Sequence, residues 1–280
     1  MKNLLEIQLD KKLYLSKSSI TVQNADKVYK NNIDQNFSIN VKEKNDTGYI
    51  VEIEILDFSQ SANDPYSILL SDIGRINKKM IFQTDSSMKL LKILNKKDML
   101  DFWRYSLLSE LSEKYKNPKY KTLFIHFENQ LKDSGDLMEK SMKNKGFYDM
   151  IFNNLTNENF YGDNIKLEKS IENIFDDRPL PYTVESFTLE EYTLKGEDQK
   201  WIYGTGSLNH DDFDKDYLRK KIRRIIGNAL FPVKPHFEYQ EGYRISSTDS
   251  TLQEARQELK FRIDGYYYYT TRNAIQQIPM

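Results

Sequence analysis

The chain contains no cysteine, which excludes disulfides, thiolate zinc sites and cysteine nucleophiles together. Its three histidines, His126, His210 and His236, form no HExxH and no pair at the helical spacing of metal ligands. No window approaches the roughly 18 apolar residues that a membrane-spanning helix requires. Neither sign of charge dominates: 41 Lys and Arg against 42 Asp and Glu leave a net charge of −1. No global field therefore draws the chain toward nucleic acid or an anionic membrane, and such binding would need a local patch. The opening MKNLLEIQLDKKLYL lacks the uncharged apolar core of a secretory signal, because Glu6 and Asp10 interrupt it. With Met1 as the native start, the expected location is the cytoplasm.

What is present is enough for a folded core. Hydrophobic residues are 39% of 280, and they are spread throughout, which excludes a disordered chain. A mean hydropathy of −0.71 with 30% charged residues indicates a well-solvated surface. The first third alternates. Leu5, Ile7 and Leu9, then Leu13 and Leu15 after a DKK turn, then Phe37, Ile39 and Val41, then Tyr49, Val51, Ile53 and Ile55 are spaced by two. Period two with polar residues between marks strands with one buried face. SDIGRINKKMIFQTD and SMKLLKILN read as two further strands around a polar turn, the second equally able to begin a helix.

The middle changes period. Leu100, Trp103, Leu107, Leu111 and Tyr115 share one face of a helix, and Tyr120, Leu123, Phe124, Phe127 and Leu131 share a face of a second that begins at Pro118. LMEKSMKNKGFYDMIFNNL is a third, broken at Gly146, and the prolines of DDRPLPY end the helical section. Alternation returns in YTVESFTLEEYTLKG and WIYGTGSLN, followed by a helix over about 213–230 and closing strands. The expected fold is α+β: a curved antiparallel sheet with a central helical insertion packed against it, in one domain over 1–280. Its strands span about 4–94, its helical segment about 96–155, and its strands with one more helix 182–279.

The run DGYYYYTTRN admits two registers. A two-residue turn at Asp264-Gly265 pairs Ile263 with Tyr266, burying Tyr266 and Tyr268 and setting Tyr267 and Tyr269 against Arg262 and Lys260 on the outside. A strand running through Gly265 buries Tyr267 and Tyr269 instead. Either way two tyrosines pack inside and two coat the surface.

Chemistry is sparse. His236 and Glu238 share a strand face. Asp212, Asp214 and Asp216 imitate the start of a calcium loop, but Tyr217 and Arg223 stand where glycine and glutamate are needed. Those acids fit better as helix N-terminal charges, with Asp211 or Asp212 as cap. The G-x-G of YGTGSLN lacks the rest of a phosphate loop and reads as glycines relieving crowding in a strand. Glu52 and Glu54 alternate with Val51 and Ile53 on an outward face, without the cleft that a hydrolase needs. No catalytic, cofactor or metal site is expected. The helix over 213–230 combines an inner stripe of Leu218, Ile222, Ile225, Ile226 and Ala229 with outward Arg219, Lys220, Arg223 and Arg224. These four cations, with Tyr267 and Tyr269 if they face outward, are the candidate partner-binding residues, for an acidic protein ahead of nucleic acid.

The order of patterns, through IQLDKKLYLSKSSI, FYDMIFNNLTNENFYGDN, RPLPYTVESF and YYYYTTRNAIQQI, resembles a group of uncharacterised proteins from Bacteroidota bacteria associated with contractile (type VI) secretion loci. The resemblance implies an accessory, adaptor or immunity role and carries no catalytic residue. The leading expectation is a non-enzymatic protein-binding module. The alternatives are a carrier of a small apolar ligand and a carboxylate-based hydrolase.

Overall fold

Among the described residues, eleven strands form one open antiparallel sheet in the order β5-β4-β3-β2-β1-β11-β10-β9-β8-β7-β6. The structure is a computed structural model that describes residues 11–132, 135–143, 146–153, 164–171, 178–194, 197–247 and 250–279. The strands are β1 (Lys11–Asn24), β2 (Lys27–Asn45), β3 (Gly48–Gln60), β4 (Lys79–Asp85), β5 (Leu90–Ile93), β6 (Ile165–Ile171), β7 (Leu180–Leu194), β8 (Glu197–Leu208), β9 (Pro235–Ser246), β10 (Leu252–Ile263) and β11 (Tyr267–Ile278). The expected strand through Leu5, Ile7 and Leu9 lies outside the described residues. Sheet dominates the fold more than the α+β expectation implied. Contacts group the chain into two compact units, one of residues 1–16, 34–158 and 277–280, the other of 17–33 and 159–276.

In the first unit the alternation places Phe37, Ile39, Val41, Tyr49, Val51 and Ile53 in the core. On β1 it is Tyr14 and Ser16 that are buried, while Leu13 and Leu15 are half-buried. Helix α1 (Pro65–Gly74) and a 3-10 turn at Arg75–Lys78 occupy much of SDIGRINKK, which the alternation assigned to a strand. Its start was written in the sequence: Asp64 accepts hydrogen bonds from the Tyr66 and Ser67 amides, and Pro65 opens the first turn.

Helices α2 (Lys96–Phe102) and α3 (Leu108–Lys114) are joined by a π-helical segment at Trp103–Leu107. The buried row is Met99, Trp103, Leu107 and Leu111, so Met99 replaces the expected Leu100. A pure α-helix would carry Leu111 about 120° round from Met99. The wider π turn keeps the four in line. Helix α4 (Pro118–Lys132) buries Phe124 and Leu131, and the Phe124 and Phe127 rings meet Trp103 at 5.9 and 4.9 Å. Helices α5 (Leu137–Met142) and α6 (Gly146–Ile151) follow, α6 opening at Gly146 with φ +56°. Phe147 packs on Phe37 of β2 at 4.9 Å. At the sheet margin, buried Glu139 of α5 accepts the Ile93 amide of β5 at 2.9 Å and faces Lys96 Nζ at 2.7 Å.

In the second unit one row of each strand faces inward: Tyr182 and Val184 on β7, Tyr239 and Tyr243 on β9, Leu259, Phe261 and Ile263 on β10. Pro181, expected to lie outside any central strand, sits at the start of β7 opposite Ser170 of β6. The tyrosine run resolves into a turn one residue longer than the two-residue hairpin. Gly265 takes φ +72°, the Tyr266 amide donates to Ile263 O, and Ile263 pairs with Tyr267. Tyr267 is therefore buried and Tyr269 half-buried on the face of Phe261, and Tyr268 lies opposite Arg262 on the other face. Burial pushes both inner hydroxyl pKa values up.

Candidate functional site

The site that carries most unassigned chemistry is the helix α7 (Lys215–Ile226) and the turn after it, in the second unit. Asp214 caps it by accepting the Tyr217 amide at 2.8 Å, so the cap is neither Asp211 nor Asp212. Those two amides donate instead to Asn209 Oδ1. Arg178 pairs with Asp214 at 3.0 Å, and its guanidinium lies 3.6 Å from the Tyr217 ring centroid. These contacts and the cap hold the Asp214 carboxyl below its ordinary range, the Tyr217 amide contributing most. Gly227 closes the helix at φ +71°, with its own amide and that of Asn228 donating to Arg224 O and Arg223 O.

Inward, Leu218 and Ile222 pack in one cluster with Tyr182, Val184, Leu259, Phe261 and Ile263. That cluster fills the sheet face beneath α7 with the protein's own side chains. Outward, Arg219 bonds Asp216 at 3.2 Å and remains half exposed. Lys220 and Arg224 are exposed and make no ion pair among the described residues. Arg223 departs from the expected set: it is half-buried and its Nε donates to Phe231 O at 3.1 Å, pinning the turn after the helix. Tyr267 belongs to the core, so the outward tyrosine surface of the sequence reading is not formed by Tyr267 and Tyr269.

The inner stripe also ends early. Ile225 stands about 20° from Leu218 on the helical wheel, yet it is 57% exposed, and Leu230 in the turn is 89% exposed. Nothing among the described residues covers them. Two bulky aliphatic side chains thus stand exposed at the end of α7 and in the turn after it, and Ile225 lies about 140° round the helix from Lys220.

A second cluster is buried. Lys169 of β6 reaches Glu241 of β9 at 2.9 Å, with side-chain exposures of 7% and 0%. Glu241 Oε2 also accepts from the Tyr239 hydroxyl at 2.5 Å and the Tyr243 hydroxyl at 3.0 Å, and Gln257 donates to Tyr239 at 2.9 Å. Strands β7 and β8 stand between the two charges, and the β8 residues opposite Glu241 and Tyr239 are Gly204 and Gly206. A Cβ at Gly204 would lie 2.8 Å from Glu241 Cγ, and one at Gly206 2.8 Å from Tyr239 Cβ. The two glycines make room for the acid and the ring to lean toward β6. Burial pushes the Glu241 pKa up, but the Lys169 charge and the bonds from Tyr239, Lys169 and Tyr243 outweigh it and hold the carboxyl below its usual range. Every charge here has a partner, so the cluster is a structural core polar network.

The remaining candidates are dispersed. His236 meets Asp264 of the hairpin turn at 3.1 Å on the exposed side, and Glu238 pairs with Lys260. Glu52 sits between Lys42 and Lys79 at 3.3 and 3.0 Å, and Glu54 turns to Lys11 at 3.6 Å, so the two carboxylates do not act as a pair. Among the described residues no group of three His, Asp or Glu is arranged to hold a metal.

No family model and no curated protein matches this sequence. Among solved structures, one of lipovitellin concerned with lipid–protein interactions aligns with 98% of this chain at 9% identity and a TM-score of 0.44. The chain spans about a quarter of that protein, 26% of its length. A likeness of this size says nothing about what the chain binds.

Proposed function

We propose that this chain is a non-enzymatic binding protein that holds an acidic protein partner on the outer face of α7, through Arg219, Lys220 and Arg224. The observation that supports the reading is the local charge. Residues 215–226 contain six Lys and Arg against one acid in a chain of net charge −1. Three of those cations, Lys215, Lys220 and Arg224, are exposed and in no ion pair among the described residues, whereas the buried charges Lys169 and Glu241 are committed to each other. A local field of this kind steers association and selects an oppositely charged surface. An accessory, adaptor or immunity role beside a contractile secretion system belongs to this proposal through the sequence resemblance alone.

The test is native mass spectrometry of the tagged chain, purified gently from its own host, beside the double variant Lys220→Glu/Arg224→Glu. An acidic protein at fixed stoichiometry, lost from the variant and at raised salt, supports the reading. Retention of the same protein by the variant, or a wild-type chain that carries no protein, rejects it.

A further inference from the structure

We propose that Asp264 is a site of spontaneous isoaspartate formation, and that this covalent change uncouples the turn between β10 and β11 from the turn at Ala25 between β1 and β2. Nothing in it depends on what α7 binds. Asp264-Gly265 is the one Asp-Gly step in the sequence, and Asn-Gly does not occur. Glycine matters here because a missing Cβ leaves its nitrogen open to close approach by the carboxyl carbon of the preceding residue. Both residues are exposed in the hairpin turn, and nothing lies within 4 Å of the position that a Cβ on Gly265 would take. The Gly265 amide makes no hydrogen bond among the described residues, the turn being closed by the Tyr266 amide on Ile263 O at 3.0 Å. Asp264 itself meets His236 Nε2 at 3.1 Å and Arg262 Nε at 3.6 Å, contacts between exposed side chains that hold it weakly.

Other aspartates in turns are protected in ways that this one is not. Asp46 precedes Thr47, whose side chain is branched at Cβ and whose amide donates to Asn45 Oδ1 at 3.0 Å. The Asp85 carboxylate accepts the amides of Ser87 and Lys89, both at 2.9 Å. At Asp264 the Gly265 nitrogen attacks Cγ, forming an N–Cγ bond as the carboxyl C–O bond breaks. The amide proton and the carboxyl hydroxyl leave together as water, and a cyclic imide remains. Water then adds to the imide. Opening at the former side-chain carbonyl restores aspartate, and opening at the former main-chain carbonyl routes the chain through Cγ. The second product adds a methylene to the main chain. Strand pairing here depends on turn length, because the turn sets Ile263 opposite Tyr267. The Ala25 amide donates to Tyr266 O at 2.8 Å, so a lengthened turn displaces the acceptor of that bond.

Ageing the full chain at neutral pH and physiological temperature tests this. Trypsin cuts after Arg262 and Arg272, so one peptide, residues 263–272, carries the site. Electron-transfer fragmentation in the mass spectrometer separates isoaspartate from aspartate, and a zero-time digest subtracts what proteolysis itself generates. Isoaspartate is expected to accumulate in this peptide, preceded by a form lighter by one water, several-fold faster than in the peptides that carry Asp46 and Asp85. Asp264→Glu, whose imide is a larger ring that closes slowly, is expected to lose the signal. Amide exchange at Ala25 is expected to rise in step with the aged fraction. No accumulation in residues 263–272 of the wild type, or accumulation no faster than at Asp46 and Asp85, overturns the modification site. Accumulation with unchanged exchange at Ala25 overturns the uncoupling of the two turns.

Discussion

Replacing Lys169 by Met leaves Glu241 buried without its counter-charge, and the cost follows from the geometry. At 2.9 Å the pair attracts by about 6 kcal/mol at an effective dielectric constant near 20. The variant escapes part of that loss by protonating Glu241. At pH 7 this costs about 3–4 kcal/mol relative to an unfolded carboxyl at 4.5. The expected destabilisation at neutral pH is therefore about 3–4 kcal/mol, within the range for breaking a buried pair. It falls by about 1.4 kcal/mol for each pH unit on the way to pH 5, because protonation becomes progressively cheaper. The wild type behaves in the opposite sense. Its Glu241 pKa is depressed on folding, so that contribution is present above 4.5 and is lost only as pH falls through the folded value. Urea unfolding of both proteins between pH 5 and 8 measures the difference. A gap that stays constant with pH, or that is under about 1 kcal/mol at pH 7, would refute the reasoning.

Two further substitutions probe the same sheet. Gly204→Ala sets a methyl 2.8–3.0 Å from Glu241 Cγ, Ser186 Oγ and Val184 Cγ1 and is expected to cost about 1–3 kcal/mol. Gly242→Ala, whose Cβ meets nothing nearer than Ile202 O at 3.9 Å, is expected to stay within about 0.5 kcal/mol of wild type. Equal melting temperatures for the two variants would refute the steric account. Glu139→Gln keeps an acceptor for the Ile93 amide but removes the charge facing Lys96, and is expected to cost about 1–3 kcal/mol. Amide exchange at Ile93 reads the outcome, and unchanged protection would show that the charge is dispensable.

The alternation of Phe37, Ile39 and Val41 and of Tyr49, Val51 and Ile53 made the strands of the first unit legible, because one face of each is buried. Helix α1 is hidden from periodicity across SDIGRINKK, and its readable trace is the Asp64-Pro65 start signal. Met99 rather than Leu100 heads the buried row because a π turn alters the period, and periodicity does not announce such a turn. The tyrosine register could not be chosen from sequence, since it depends on a single residue of turn length. The Lys169–Glu241 pair had a readable trace: Lys169 interrupts Ile165, Leu167 and Ile171, and Glu241 interrupts Phe237, Tyr239 and Tyr243, each in the inward phase. That the two meet across β7 and β8 depends on the strand order. The cations of α7 were legible one by one. The exposure of Ile225 was not, because a helical wheel gives an angle and does not say where the covering surface stops.

An open sheet is also a template, since its last strand at each end offers backbone groups to any extended chain that arrives. Among the described residues the terminal strands are β5 and β6, and a buried charged side chain stands at each, Glu139 of α5 beside β5 and Lys169 on β6 itself. At β5 the Glu139 carboxylate already occupies the Ile93 amide. At β6 Lys169 points inward to Glu241 and the Tyr239 hydroxyl, and an inward-pointing charge on an edge strand disfavours the addition of another strand. The Glu139 carboxylate and the inward Lys169 therefore make both ends of the sheet poor templates for an added strand.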